Sequence, residues 1–134
     1  MSVFNSMNIS ATGLTLERMK LDTISSNIAN VNTTRTEEGG PYKRKEVVFE
    51  EIVKDQMSMG VKVTGISQDE GNFTRVYNPE HPDADAEGYV TMPNVNLLEE
   101  MVGLIEAQRT YEANATALKA SKGMLNKALE ISKG

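Results

Sequence analysis

Apolar residues recur at every seventh position near the start of the chain. The repeat consists of Met7, Leu14, Leu21 and Ile28, and Ile24 and Val31 add a second position in the later turns. A seven-residue period is typical of a helix that buries one side against another helix. The pattern predicts a helix over residues 4–32.

A second and longer repeat of the same period lies near the end of the chain. Its large members are Leu97, Leu104, Tyr111, Leu118 and Leu125. The positions three residues further on are mostly small: Glu100, Ala107, Asn114, Ser121 and Ala128. Asn96 is a favourable N-cap, and Glu99 follows it at capping-box spacing. The pattern predicts a helix over residues 97–131, about 50 Å long, with small residues that allow another helix to approach closely.

The middle of the chain has a different character. Glycines and a proline in residues 33–42 indicate a connector, and short runs of β-forming residues follow. The predicted strands are Lys45–Phe49, Gly60–Ile66, Phe73–Tyr77 and Gly88–Met92. So few short strands make only a small module, which is marginally stable alone.

These elements predict an α+β fold in three regions. Residues 1–34 and 95–134 are the two helices of one antiparallel coiled coil. Residues 35–94 are a connector and a small β-rich module that returns the chain between them.

Both helices carry more apolar surface than one seam uses. The residues beyond the seams are Ile9, Leu16, Met19, Leu98, Val102 and Ile105. Two helices bury one stripe each, so the surplus predicts neighbours from other chains. We expect the assembly interface to consist of the seam residues of both repeats together with Met101.

The first helix is predicted to end in amides and hydroxyls, with no glycine stop. Asn27, Asn30 and Asn32 lie in this run. Such side chains form hydrogen bonds with nearby backbone groups. They are expected to hold the exit of the chain from the helix.

Composition excludes several classes of function. The formal net charge of −5 argues against a nucleic-acid binder, which needs a basic surface. The absence of cysteine excludes disulfides and thiol catalysis. We expect no cleavable secretory signal, because the N-terminus has neither a positively charged segment nor a long apolar run.

Candidate chemistry is sparse. The single histidine, His81, lies among prolines in a polar turn and is not accompanied by a nucleophile motif. Asp83, Asp85 and Glu87 have the spacing of the first ligands of an EF-hand loop, but Asn94 stands where a closing glutamate is needed. An acidic turn is therefore favoured, with a calcium-dependent enzyme as the alternative. We expect no catalytic residue, cofactor, metal or small-molecule substrate.

Both terminal segments resemble the bacterial flagellar rod and hook family. The N-terminal segment ATGLTLERMKLDTISSNIANVNTT contains the family core around Asn27, Asn30 and Asn32. The C-terminal segment NLLEEMVGLIEAQRTYEANATALKASKGMLNKALEI contains the matching residues Arg109 and Asn114.

The resemblance implies a structural role. Family members are exported unfolded through the flagellar type III apparatus and stack helically into the rod, a drive shaft in the cell envelope. The partners that the resemblance implies are further copies of the chain, other rod proteins, and components of the membrane ring and export gate. The rival hypothesis is a cytoplasmic helical secretion chaperone or adaptor, which would not need the β-rich module.

Overall fold

The computed structural model describes residues 3–133. Two long helices, α1 and α2, flank four strands that form two separate two-stranded antiparallel sheets. The elements are α1 Val3–Ala29, β1 Lys45–Lys54, β2 Met57–Gln68, β3 Thr74–Tyr77, β4 Tyr89–Met92 and α2 Leu97–Lys133. The predicted α+β class is confirmed.

Helix α2 begins where the sequence predicts. The Asn96 side-chain oxygen accepts hydrogen bonds from the backbone N–H groups of Leu98, at 3.1 Å, and Glu99, at 3.3 Å. This N-cap satisfies two of the donors that a helix start leaves unpaired. Helix α1 ends at Ala29, three residues earlier than predicted, and a turn follows it.

Strands β1 and β2 form a hairpin that is longer than predicted. The ladder runs from Lys45 opposite Gln68 to Lys54 opposite Met57, with irregularities after Val48 and Glu51. The two turn residues, Asp55 and Gln56, have φ angles of 51° and 64°, in the left-handed region that a type I′ turn requires. Residues 50–58 are all exposed. The outer half of the hairpin therefore lacks the alternation of buried and exposed residues by which a sequence reveals a strand.

The inner half of the hairpin lies against α1. The Val61 N–H donates a hydrogen bond of 3.2 Å to the Thr12 hydroxyl. Gly60, at a φ of +115°, is so close to Thr12 that any side chain there would overlap it. Val47 is buried near the base of the hairpin.

One prediction about surplus apolar surface is wrong. Leu16, expected to need another chain, is only 6% exposed within the single chain. The sequence placed it off the coiled-coil seam, but a helix with further elements packed beside it buries more than one stripe.

The second sheet, β3–β4, pairs Thr74 with Met92 through Tyr77 with Tyr89. Val90 is 1% exposed, and the rings of Tyr77 and Tyr89 meet edge to face with centroids 5.3 Å apart. Within residues 3–133, neither helix has a stretch apolar and long enough to cross a membrane.

Candidate assembly interface

The two helices are antiparallel and in a single register. Gly13 lies against Asn114, Ile24 against Gly103, and Asn27 is hydrogen-bonded to Glu100. The two residue numbers of each pair add up to 127. The residue number in α2 falls by one for each step up in α1, which means that the helices are antiparallel and that their register does not change along the contact. The predicted antiparallel pairing is confirmed.

The positions three residues after the large members of the C-terminal repeat include the most buried residues of α2, although Asn114 there is half-buried and Ala128 is exposed. Glu100, Ala107 and Ser121 are 2%, 4% and 6% exposed. The large members Leu104, Tyr111, Leu118 and Leu125 are half-buried. Two of these buried residues, Ala107 and Ser121, are small and allow the helices to approach closely, and the large residues flank the contact.

The helices approach each other closely at Gly13. A Cβ atom there would lie 2.8 Å from Asn114 Nδ2 and 3.2 Å from Asn114 Cγ. The absence of a side chain at Gly13 thus leaves room for the Asn114 amide.

Near the other end of the seam lies a cluster that we call the polar junction, formed by Asn27, Tyr42, Arg44, Lys45 and Glu100. Asn27 is completely buried at its centre. Its Nδ2 donates to the Lys45 carbonyl oxygen at 2.8 Å and to Glu100 Oε2 at 3.2 Å. Its Oδ1 accepts hydrogen bonds from the Tyr42 hydroxyl at 2.8 Å and the Lys45 N–H at 3.0 Å. Asn27 therefore joins α1, the connector, β1 and α2.

Arg44 completes the polar junction. Its Nε donates to Glu100 Oε1 at 2.5 Å. Burial lowers the pKa of the Arg44 guanidinium, but the hydrogen bond and charge of Glu100, together with the charges of Glu46 and Asp69, outweigh burial and hold the pKa above its ordinary value. Because the carboxylate is paired and hydrogen-bonded on both oxygens, its burial is compensated.

Of the three asparagines expected to hold the exit of the chain from α1, only Asn30 does so. Asn30 Nδ2 donates to the Ser26 carbonyl oxygen at 2.8 Å, and Asn30 Oδ1 accepts from the Thr33 hydroxyl at 3.0 Å, which holds the turn after α1. Asn32 is exposed. Asn27 acts over a much longer range than expected, because its partners lie in β1 and α2.

The acidic turn is held by hydrogen bonds from the protein. Asp83 accepts from the Thr34 hydroxyl at 2.6 Å and from Arg35 Nε at 2.7 Å. These bonds, the Thr34 bond foremost, hold the pKa of Asp83 below its ordinary value. Asp85 accepts from the backbone N–H of Tyr89 at 2.9 Å and from Arg75 at 2.5 Å, and its pKa is lowered too.

These bonds bear on the calcium alternative. They use carboxylate oxygens that an EF-hand loop would offer to the ion. Within residues 3–133, no cluster of three or more acidic, histidine or cysteine residues is arranged to hold a metal ion. His81 Nδ1 accepts a hydrogen bond from the Asp83 N–H at 3.0 Å, so it has a local structural partner in the turn.

A stripe of exposed apolar residues runs along α2 on the side away from α1. We call Leu98, Met101, Val102 and Ile105 the outer stripe; they are 73%, 50%, 50% and 53% exposed. Their spacing places them on one helix face. This face is available to a partner.

The structure divides the predicted interface residues into two groups. Those half-buried in the single chain are Met7, Leu14, Leu21, Ile24, Ile28, Val31, Leu104, Tyr111, Leu118 and Leu125. Leu97 and Met101 are exposed. Of the motif residues, Arg109 is exposed and Asn114 is half-buried in the seam. Sequence reasoning missed Tyr42, Arg44 and Glu100 as members of the polar junction, because no local pattern marks them.

Comparison with known families agrees with this architecture. Residues 7–35, which include most of α1, match the family model described as flagella basal body rod protein. Residues 86–131, which include most of α2, match the model described as flagellar basal body rod FlgEFG protein C-terminal. The paired helices and these matches define the class as a flagellar basal-body rod protein.

Individual relatives narrow the class. The chain is 49% identical to flagellar basal-body rod protein FlgC of Bacillus subtilis (strain 168), over 99% of this chain and 100% of that protein. It is 43% identical to FlgC of Borreliella burgdorferi over 100% of both chains, and 36% identical to FlgC of Salmonella typhimurium over 98% of both. The chain belongs to the flagellar basal-body rod protein FlgC family. It is a structural subunit of the flagellar rod, and it assembles with other basal-body components.

Proposed function

We propose that the chain is a subunit of the proximal rod that stacks helically with further copies of itself and other rod proteins. The observation that carries this proposal is the outer stripe of α2. Four large apolar side chains on one face of a rigid helix are at least half exposed in the single chain. Exposed apolar faces of this kind mark protein–protein contacts.

The helix pair is the proposed shaft-forming part, over residues 1–34 and 95–134, and residues 35–94 are the connector and β-rich module. The fixed register and the polar junction support this division, because they make α1 and α2 one rigid unit. A rigid unit presents the same surface in every subunit, as a helical array requires.

The remaining partners follow from the same role. Membrane-ring and export-gate components are proposed neighbours of the rod, and the flagellar type III apparatus is the proposed export route. The support for these partners is that the relatives named above are rod proteins of the same family. Nothing in those relatives favours a secretion chaperone.

Leu104→Asp tests the role of the helix pair in assembly. Leu104 is half-buried in the seam, where an unpaired carboxylate costs several kcal/mol or separates the helices. We expect the variant to be exported but absent from isolated rods. The measurements are swimming motility and the amount of subunit in purified basal bodies.

Glu112→Asp is the matched control. Glu112 is exposed on α2, and the substitution keeps its charge, so motility should stay at the wild-type level. Normal swimming of the Leu104→Asp strain would contradict the proposed role of the helix pair.

A further inference from the structure

The turn between β3 and β4 is attached to the connector through one carboxylate. Asp83 Oδ2 accepts a hydrogen bond of 2.6 Å from the Thr34 hydroxyl, and Asp83 Oδ1 accepts one of 2.7 Å from Arg35 Nε. A second nitrogen of the Arg35 guanidinium pairs with Oδ1 as well. Asp83 is 49 positions from Thr34 in the sequence, so this contact ties the second sheet to the segment that follows α1.

The single histidine of the chain holds the backbone of the same aspartate. His81 Nδ1 lies 3.0 Å from the backbone nitrogen of Asp83. A backbone N–H can only donate a hydrogen bond, so Nδ1 must be the acceptor and the ring proton must be on Nε2. The hydrogen bond therefore requires the neutral imidazole in one particular tautomer.

Protonation of the ring removes this hydrogen bond. An imidazolium ion carries a proton on both nitrogens, so Nδ1–H would face the Asp83 N–H as donor against donor. The ring must then turn away from the backbone nitrogen. Histidine is the side chain that ordinarily changes charge between about pH 5 and pH 8, so this change needs no extreme of pH.

The other charged groups near the ring come from the turn and from β3. Glu80 precedes His81 in the turn and is exposed. Asp85, also in the turn, is paired with Arg75 of β3, whose guanidinium nitrogen lies 2.5 Å from the carboxylate. Asp85 is thus already occupied by a cation, and Glu80 is open to solvent.

Arg35 of the connector and a protonated His81 both attract the Asp83 carboxylate. The Thr34 hydrogen bond does most to lower the pKa of Asp83, against the effect of burial. Arg35 and a positive charge on His81 lower this pKa further. Of the two cations, only Arg35 belongs to the connector. A carboxylate that turns from Arg35 to His81 therefore loosens the attachment of the connector.

We propose that His81 is a proton-operated switch of the contact between the turn and the connector. With the ring neutral, His81 holds the Asp83 backbone and Asp83 holds Arg35. When Nδ1 takes a proton from solvent, the backbone bond breaks and the imidazolium draws the carboxylate away from Arg35. The Thr34 hydroxyl remains, and a neutral donor binds a carboxylate more weakly than a guanidinium does. The switch operates within one subunit, so it does not depend on the proposed assembly.

The second sheet stays attached at its other end when the switch operates. Asn94, just after β4, donates hydrogen bonds to the carbonyl oxygens of Asp69 and Gly71 at 2.9 and 2.8 Å. Its Oδ1 accepts a hydrogen bond of 2.7 Å from the Arg44 N–H. Amide groups do not titrate, so this attachment is independent of pH. Acid should therefore change the position of the turn relative to the connector without unfolding the chain.

A nuclear magnetic resonance titration of the purified full-length subunit tests the switch. The single histidine gives one set of ring signals, which are followed with the Asp83 amide and the Arg35 Nε–H between about pH 8 and pH 5. We expect all three to change with one midpoint. The Asp83 amide proton should move upfield, and the Arg35 Nε–H should lose its protection from exchange with water. Asp83 itself stays ionised, because its pKa lies below 3.8.

His81→Asn is the matched control. An asparagine oxygen can accept the hydrogen bond from the N–H two residues further on, as in an Asx turn, and it does not titrate. Both the Asp83 amide shift and the protection of the Arg35 Nε–H relative to a free arginine should then stay constant. A wild-type ring that stays neutral, or that titrates while either signal stays constant, would overturn the switch. The same changes in His81→Asn would overturn it too.

Arg35→Gln tests the competition for the carboxylate separately. Without the guanidinium, Asp83 is free to pair with the imidazolium, so the midpoint of the His81 ring titration should move to higher pH. Arg18→Gln, at an exposed position on α1, is the control and should leave the midpoint unchanged. A midpoint that does not rise in Arg35→Gln would refute the exchange of Asp83 between the two cations.

Discussion

At the scale of single residues, the polar junction shows how one amide organises a small protein. Asn27 uses both donors and both acceptor positions of its side chain on partners from three other segments. Among the described residues, every buried side-chain nitrogen and oxygen has a partner. A network in which every group is satisfied favours one arrangement over many.

Asn27→Ala should therefore be costly. The substitution removes the hydrogen bonds that Asn27 makes with the Lys45 backbone and with one oxygen of Glu100. It also leaves the buried Tyr42 hydroxyl with only its 3.3 Å contact to the Ser26 hydroxyl. We expect the free energy of unfolding to fall by about 3 kcal/mol. Denaturant unfolding of the purified subunit measures it. Asn32→Ala, at an exposed position in the same run, is the control, and equal effects of the two variants would contradict the role of the polar junction.

The acidic turn gives a prediction about pH. The folded-state pKa of Asp83 is lowered from its ordinary value of 3.8. A lowered pKa stabilises the fold above pH 3.8, and this contribution is lost as the pH falls through the folded-state value. Asp83→Asn should therefore lower the thermal unfolding midpoint at pH 6, with a smaller difference at pH 3.

Asp22→Asn serves as the comparison, because Asp22 is exposed on α1. Its unfolding midpoint should follow that of the wild type at both pH values. If the effect of Asp83→Asn were the same at pH 6 and pH 3, the ionised carboxylate would not be what holds the turn.

At the scale of elements, the two helices were predictable and their register was not. Seven-residue repeats and the Asn96 N-cap reveal α1 and α2 because both signals are local. The register depends on Gly13 meeting Asn114 and on Asn27 meeting Glu100, residues 73 or more positions apart. No local pattern contains that information. The outer half of the hairpin was missed because it has no buried face.

The close approach at Gly13 can be tested by filling it. Gly13→Leu places a side chain where the Asn114 amide lies, so the helices must separate or shift. We expect a loss of about 2 kcal/mol in the free energy of unfolding, which is typical of overpacking. Asn114→Ala in the same chain should recover part of the loss, because it vacates the space.

Gly123→Leu is the matched control on α2. A Cβ atom at Gly123 meets nothing within 4 Å, and the substitution raises helix propensity. This variant should unfold no more easily than the wild type. A double variant with no recovery would show that Gly13 and Asn114 do not constrain each other.

At the scale of the whole molecule, stability is expected to be uneven. The polar junction ties several elements together near one end of the helix pair, and the inner part of the hairpin contacts α1 at Thr12. The last turns of α2 have no covering element in the described chain. In the isolated subunit, protection of the backbone amides from hydrogen exchange should therefore be high around residues 24–30 and 100–107 and low over residues 124–133.

Hydrogen exchange on the isolated subunit and on purified rods measures this gradient. Residues 124–133 should gain protection in the rod, because a neighbouring chain then covers them. Equal exchange over these residues in both states would show that the end of α2 stays free after assembly.

The polar junction also has a mechanical consequence. Apolar contacts along a helix seam are non-directional, so they oppose sliding of one helix past the other only weakly. Hydrogen bonds at 2.5–3.2 Å lose their geometry well before a slide of one helical turn, about 5.4 Å, is complete. Shear along the helix axes would therefore fall first on Asn27, Arg44 and Glu100. In a rod that transmits torque, these buried hydrogen bonds would keep α1 and α2 from sliding past each other within each subunit.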